Sequence, residues 1–287
     1  MNAFAAKLRL YSPLIKSLQT GLLIFTGMAG YMSARCPIFN LSTMAGLLVS
    51  LFASISGSTI LNMWWDRDID ARMSRTRNRP LAAEKINPRE ALFVGLALSG
   101  LGVGLAFAMH PLYGLIIFAG LFFDVVVYSI WLKRRTCWSI LWGGISGAMP
   151  ILAGRALALE GIDWIGIMLS LGVLFWIPTH TLTYSMKFSD DYKAACVPTF
   201  VSTYGLNFTR TVIAISSILA ALAMGASAWG IGMAWGFLRL LGVLSAGLLM
   251  LAITTTFKPS ERVNFGLFKY ASLYMLAAMI LVVIEAL

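Results

Sequence analysis

The chain has 287 residues, of which 59% are hydrophobic and only 12% charged, with a net charge of +10. A soluble domain carries roughly 25% charged residues, so this composition excludes an ordinary water-soluble fold. It points to an all-α polytopic membrane protein, read as one transmembrane domain over residues 1–287. The basic residues sit between apolar runs instead of forming one patch. That argues against nucleic acid as a partner and makes the lipid bilayer the medium.

Lys7, Arg9 and Lys16 precede the first apolar stretch. The arrangement is like the start of a signal peptide, but many further spans follow, so a retained first helix is expected. Each crossing needs about 20 apolar residues, and a helix satisfies its own backbone in hydrocarbon. The short alternating strands of a β-barrel are missing. Nine spans are expected, near 17–34, 42–64, 89–109, 111–132, 138–158, 163–185, 209–229, 234–255 and 266–286. Pro111 and the break at Gly230 mark tight turns, so the helices they join are hairpins. With the N-terminus on the cytoplasmic side, only Arg35, Arg155 and Arg239 of the 22 basic residues fall on the far side. This bias sets the orientation and puts any polar chemistry at the cytoplasmic face.

At the end of the second span stands "NMWWDRDIDARMSRTRNRPL", Asn62 to Leu81. If the helix continues through it, Asn62, Asp66 and Asp70 share one face, with Asp68 roughly opposite. Such an oxygen-rich stripe suits a hard cation, and Mg²⁺ prefers one or two carboxylates plus phosphate oxygens. Arg75 and Arg79 follow at helical spacing as bidentate phosphate donors, and Pro80 closes the segment. The bland alternative, a solvated loop whose arginines set orientation, does not explain acids repeated at helical spacing beside a bilayer.

After the fourth span come Lys133, Arg134 and Arg135, for which orientation alone is a sufficient reason and a phosphate role an alternative. Gly143, Gly144 and Gly147 mark close helix packing. Asp124, inside that fourth span, calls for a proton or a cationic partner. The sixth span ends in a second acidic stretch, where Tyr184, Lys187 and Asp191 share a face, Asp190 sits about 100° away, and Pro198 follows. Two such clusters facing each other would hold Mg²⁺ ions around one diphosphate, whereas an exposed Lys–Asp pair would carry little. His180, a histidine within a span, is a functional candidate by default, with an ordinary hydrogen-bonded core residue as the alternative. His110 lies in an outer turn and is incidental. Cys36, Cys137 and Cys196 are scattered without a Cys-x-x-Cys pair and read as small apolar fillers.

Together these stretches resemble the UbiA-type intramembrane prenyltransferases. Their motif N-x-x-x-D-x-x-x-D, then R-T-x-x-R-P-L, is matched by Asn62, Asp66, Asp70, Arg75, Thr76, Arg79, Pro80 and Leu81. The stretch "LKRRT", the later "GGISGAMP", and P-x-H followed by K-x-x-DDY-x-A-x-x-VP are similar to the heme-farnesylating branch. The likeness covers roughly residues 10–275. It implies nine helices around a central cavity and an allylic diphosphate held through Mg²⁺ by Asp66, Asp70, Asp190 and Asp191. The farnesyl group of farnesyl diphosphate would join a vinyl group of heme b, with water adding a hydroxyl. Asp66, Asp70, Lys187 and Asp191 would be the catalytic set. Asn62, Arg75, Arg79, Lys133, Tyr128, His180 and Tyr184 would bind substrates, with Trp64, Tyr128 and Tyr184 offering ring faces to the carbocation. Departures from the pattern are Met63, Thr181-Leu182 and Thr199-Phe200, of which the last two bear on the acceptor pocket. The alternatives are an aromatic quinone precursor or a lipid as acceptor, or a heme-binding protein or transporter without catalysis. Acids gathered at one face argue against a transporter.

Overall fold

The computed structural model describes residues 10–35 and 40–287, so Lys7, Arg9 and Cys36 lie outside the described residues. Among the described residues the regular structure is helical, with no strand. The elements are α1 (Ser17–Met32), α2 (Leu41–Trp65), the short α3 (Arg67–Arg72), α4 (Pro88–Met109), α5 (Pro111–Leu132), α6 (Ser139–Leu159), α7 (Trp164–Lys187), the short α8 (Ser189–Ala194), α9 (Phe200–Ile231), α10 (Trp235–Phe257) and α11 (Glu261–Glu285). Eight of these are long and apolar enough to cross a bilayer, and the chain is a multi-pass membrane protein. The first expected span is α1, whose 16 residues make it the shortest of the nine long helices described.

The starts of the helices follow from their capping residues. Asn40 accepts from the backbone of Ser42 and Thr43, Asn87 from Arg89, and Ser260 from Val263, each satisfying amides that the first turn leaves unpaired. His110 caps α5 through the amide of Leu112, with Pro111 as the first helical residue, so the expected hairpin forms there. α9 begins well before the expected residue 209. Thr199 and Ser202 form a reciprocal capping box, and Gly205 (φ 81, ψ 173) absorbs a kink that a side chain would resist.

Small residues let helices touch. A Cβ on Gly154 would stand 1.9 Å from the carbonyl oxygen of Gly27, so α1 and α6 cross at backbone contact. A core of Leu169, Leu182, Ile213, Met224 and Tyr274 joins α7, α9 and α11, while Phe93, Leu222, Trp229 and Met250 remain on outward faces, as lipid contact requires. At the far end, buried Arg155 donates to both oxygens of Asp163 at 2.8 and 2.7 Å and to the Ser33 carbonyl at 2.7 Å. Arg35 pairs with Glu285 at the same end. Two of the three expected far-side arginines are therefore neutralised.

One element departs from α geometry. Phe122–Leu132, the second half of α5, is a π-helix. Its hydrogen bonds run i to i+5, giving roughly 4.4 residues per turn against 3.6. In an α-helix Asp124 and Lys133 would lie on opposite faces. In the wider coil both, with Tyr128 between them, turn to the same interior cavity.

Candidate active site

The acidic stripe forms where α2 runs out. The backbone changes at Asp66 (φ −88, ψ 6), then α3 resumes. Helical hydrogen bonds persist across the break, from Asp66 N to Asn62 O at 2.9 Å and from Asp70 N to Asp66 O at 2.8 Å. The expected spacing therefore survives, and Asp66 and Asp70 are only 4% and 5% exposed. Each meets a cation. Lys133 Nζ donates to Asp66 Oδ2, and Arg79 Nη1 donates to both Asp70 oxygens at 3.0 and 2.8 Å. Asp68, on the other side, receives Arg134 at 2.9 and 2.7 Å, which holds its carboxyl below the usual range. Burial raises the Asp66 carboxyl, and Lys133 opposes that. At Lys133 burial works against the charge, but Tyr128, Asp66 and Asp70 outweigh it and raise its pKa.

Asn62 faces α5. Its amide donates to Asp124 Oδ2 at 2.7 Å, and its carbonyl accepts from the Ser129 hydroxyl at 2.8 Å. Ser58 donates to the same Asp124 oxygen. Asp124 is thus tied into the first motif, although nothing in its local sequence context shows this.

The second motif meets the first directly. Asp191, on α8, accepts from the Ser74 amide at 3.1 Å and the Ser74 hydroxyl at 2.7 Å. The side-chain bond from Ser74 is the main reason its pKa is lowered. Beneath this contact Ile69 and Met73 pack against Ala195 and Val197. The two acidic stretches therefore share one end of the bundle.

Above them opens a cavity of about 830 Å³. One end is cationic, lined by Lys16, Arg75, Arg79 and Lys133. The body is aromatic and aliphatic, with Tyr128, Trp176, His180, Tyr184 and Phe268 on its wall. Arg75 lies 5.1 Å over the Tyr184 ring and Lys133 lies 5.5 Å over Tyr128. Both rings therefore already face positive charge.

Two carboxylate oxygens, Asp66 Oδ1 and Asp191 Oδ2, are shielded from solvent and have no hydrogen-bond partner. A buried oxygen of that kind asks for a cation. Among the described residues no preformed group of three or more His, Cys, Asp or Glu side chains is assembled. A Mg²⁺ ion that takes one or two carboxylates and completes its shell with water and phosphate needs no such cage. The donor set fits that ion.

Comparison with known proteins gives the family. The model of the UbiA prenyltransferase family matches residues 23–281. The chain belongs to the UbiA prenyltransferase family. A protoheme IX farnesyltransferase of Archaeoglobus fulgidus is 40% identical over 77% of each chain. One of Pyrobaculum arsenaticum is 39% identical over 85% of this chain and 86% of its own. Among solved structures, that of a digeranylgeranylglyceryl phosphate synthase superposes with a TM-score of 0.82 at 17% identity, over 98% and 99% of the two chains. A UbiA homologue from Archaeoglobus fulgidus bound to GPP and Mg²⁺ gives 0.67 at 16%, over 96% and 98%.

In this prenyltransferase the residues expected from sequence separate into three groups. Arg75, Arg79, Tyr128, Lys133, His180 and Tyr184 line the cavity. Asp66, Asp70, Asn62 and Asp191 are not among its lining residues, and each is held by a partner described above. Lys187 and Asp190 point away. Lys187 Nζ rests 3.8 Å over the Phe265 ring, and Asp190, 97% exposed, has Lys193 at 3.8 Å. Trp64 packs with Tyr11 and Val94 outside the cavity. Sequence reasoning treated Lys16 only as an orientation signal. Its left-handed backbone (φ 48, ψ 57) breaks the chain before α1 and sets it at the cationic end, in electrostatic reach of Asp124 and Asp70. Burial, then repulsion from Arg79 and Lys133, lowers its pKa to about 8. A non-glycine residue held left-handed beside a cavity was the one signal available, and it exists only in three dimensions.

Proposed function

We propose that this prenyltransferase moves the farnesyl group of farnesyl diphosphate to a vinyl group of heme b, with addition of water, giving heme O and diphosphate. The observation that carries the reading is one cavity with a cationic end and an aromatic body. At about 830 Å³ it lies high in the range of roughly 300–1,000 Å³ for small-molecule sites, as two bulky apolar substrates need. Naming of the relatives as protoheme IX farnesyltransferases supports heme as the acceptor.

The chain's own residues divide the work. Lys16, Arg75, Arg79 and Lys133 bind the diphosphate and stabilise charge as it leaves. Asp66 and Asp70 hold Lys133 and Arg79 in position, and Ser74 holds Asp191. Mg²⁺ would be held by Asp66 and Asp191, whose second oxygens have no donor, while Asp70 is taken by Arg79 and Asp190 faces solvent, and when bound it would supply further positive charge to the leaving group. Tyr128 and Tyr184 line the cavity beside its cationic end and would offer ring faces to an allylic cation, and the apolar wall would keep water from it. The asymmetry of the basic residues supports a cell membrane location with the N-terminus and this cationic end at the cytoplasmic face.

The test is incubation of the purified protein with heme b, Mg²⁺ and prenyl diphosphates of several lengths, read by mass spectrometry. Hydroxyfarnesylated heme is the expected product, and Asp66→Asn abolishes it in protein that remains folded. Prenylation of a quinone precursor or a glycerol-phosphate lipid, with heme untouched, would overturn the assignment.

A further inference from the structure

His180 is held more tightly than a core histidine needs to be. Its ring is stacked between Trp176, at 5.0 Å and 24°, and Phe268, at 4.6 Å and 27°. Trp176 is itself pinned, since its Nε1 donates to the Ala271 carbonyl at 2.7 Å. The imidazole therefore cannot turn over without moving two aromatic neighbours.

The hydrogen bonds around it fix its proton. His180 Nδ1 lies 3.1 Å from Ser272 Oγ. A serine hydroxyl has one proton to give, and Ser272 donates it to the Phe268 carbonyl at 3.0 Å. With that proton on the Phe268 carbonyl the same oxygen accepts from His180, an arrangement that places the ring proton on Nδ1 and leaves Nε2 a bare lone pair. Among the described residues Nε2 has no hydrogen-bond partner, while the residue lines the cavity. A fixed neutral imidazole, oriented through its other nitrogen and presenting a lone pair to an apolar cavity, is the arrangement that metal-binding histidines use.

We propose that His180 Nε2 is an axial ligand to the iron of the porphyrin substrate, and that Ser272 is the positioning residue that sets the tautomer for it. The proposal rests on heme being the acceptor. Its consequence is register. Tyr184 lies four residues along α7 from His180, about 6 Å of rise, and Arg75 sits over its ring. A porphyrin held through its iron at His180 therefore lies beside the cationic end of the same cavity, near Tyr184 and Arg75.

The full-length protein in detergent is titrated with ferric protoheme and followed by visible absorption and electron paramagnetic resonance. Wild type is expected to give a histidine-ligated ferric heme spectrum. His180→Ala and His180→Gln are expected to lose it, and added imidazole to restore it in the alanine variant. The glutamine variant keeps a polar side chain facing Ser272 should the alanine variant fail to fold. Ser272→Ala is expected to weaken ligation about tenfold, and Ser272→Thr, which keeps the hydroxyl, to rescue it. Identical spectra in wild type and both His180 variants overturn the ligation and leave heme as acceptor intact. Specific heme binding absent from wild type overturns both.

Discussion

Replacing Lys133 by methionine tests whether the charges behind the cavity act as pairs. The substitution keeps the length of the side chain and removes its charge. Asp66 stays 4% exposed, with Oδ1 already unpartnered and Oδ2 now losing its donor. Removing one partner of a buried pair costs about 3–5 kcal/mol. Lys133 retains 18% side-chain exposure, so water offsets part of the loss, and about 3 kcal/mol is expected at pH 8. For a chain of this size that lowers Tm by roughly 6–12 °C, read by thermal unfolding in detergent. The sign with pH follows from burial. Without Lys133 only the weaker influence of Arg134 opposes the rise in the Asp66 pKa, so the folded state binds a proton more tightly than the unfolded one. The deficit is then largest at pH 8 and shrinks toward pH 5. Adding Asp66→Asn removes the stranded charge and recovers about 2 kcal/mol. A Tm within about 1 °C of wild type at pH 8, or a deficit unchanged by pH, would refute the reasoning.

Lys16→Gln is expected to raise the KM for prenyl diphosphate more than it lowers kcat. Because burial brings the Lys16 pKa down to about 8, its charge is present below that pH and lost above it. Wild-type kcat/KM should therefore fall as pH rises through about 8, and the glutamine variant should lack that limb. Ser74→Ala removes the main cause of the low Asp191 pKa, so the acid limb of kcat/KM should move to higher pH. An acid limb that stays in place would separate Asp191 from the rate. Gly154→Ala puts a carbon 1.9 Å from the Gly27 carbonyl oxygen and forces α1 away from α6. Loss of about 1–3 kcal/mol or more is expected, visible as a lower Tm, and wild-type stability would contradict the close crossing. Asp163, whose carboxyl Arg155 holds below its usual range, supports folding above its unfolded pKa and loses that contribution as pH falls through the folded one. Arg155→Ala should flatten that acid-side loss of stability in a pH series.

The long apolar helices and the two acidic stretches were legible in the sequence, because hydropathy and helical spacing are local properties of the chain. Asn62, Asp66 and Asp70 were legible as a repeat for that reason, although Asn62 turned to Asp124 and Ser129. Partner choice was not legible. Lys133 reaches Asp66 across 67 residues, and Ser74 reaches Asp191 across 117. Those contacts depend on how far each helix is rotated, which the glycine crossings and the π-turns of α5 decide. The local sequence left Lys133 between an orientation charge and a phosphate donor, and the wider coil is what turns it, with Tyr128 and Asp124, into the cavity. Lys16 entered the site through a left-handed backbone that side-chain chemistry does not announce. Periodicity says which residues share a face of one helix. Only packing says which face meets which, and the electrostatics of the site follow from that second choice.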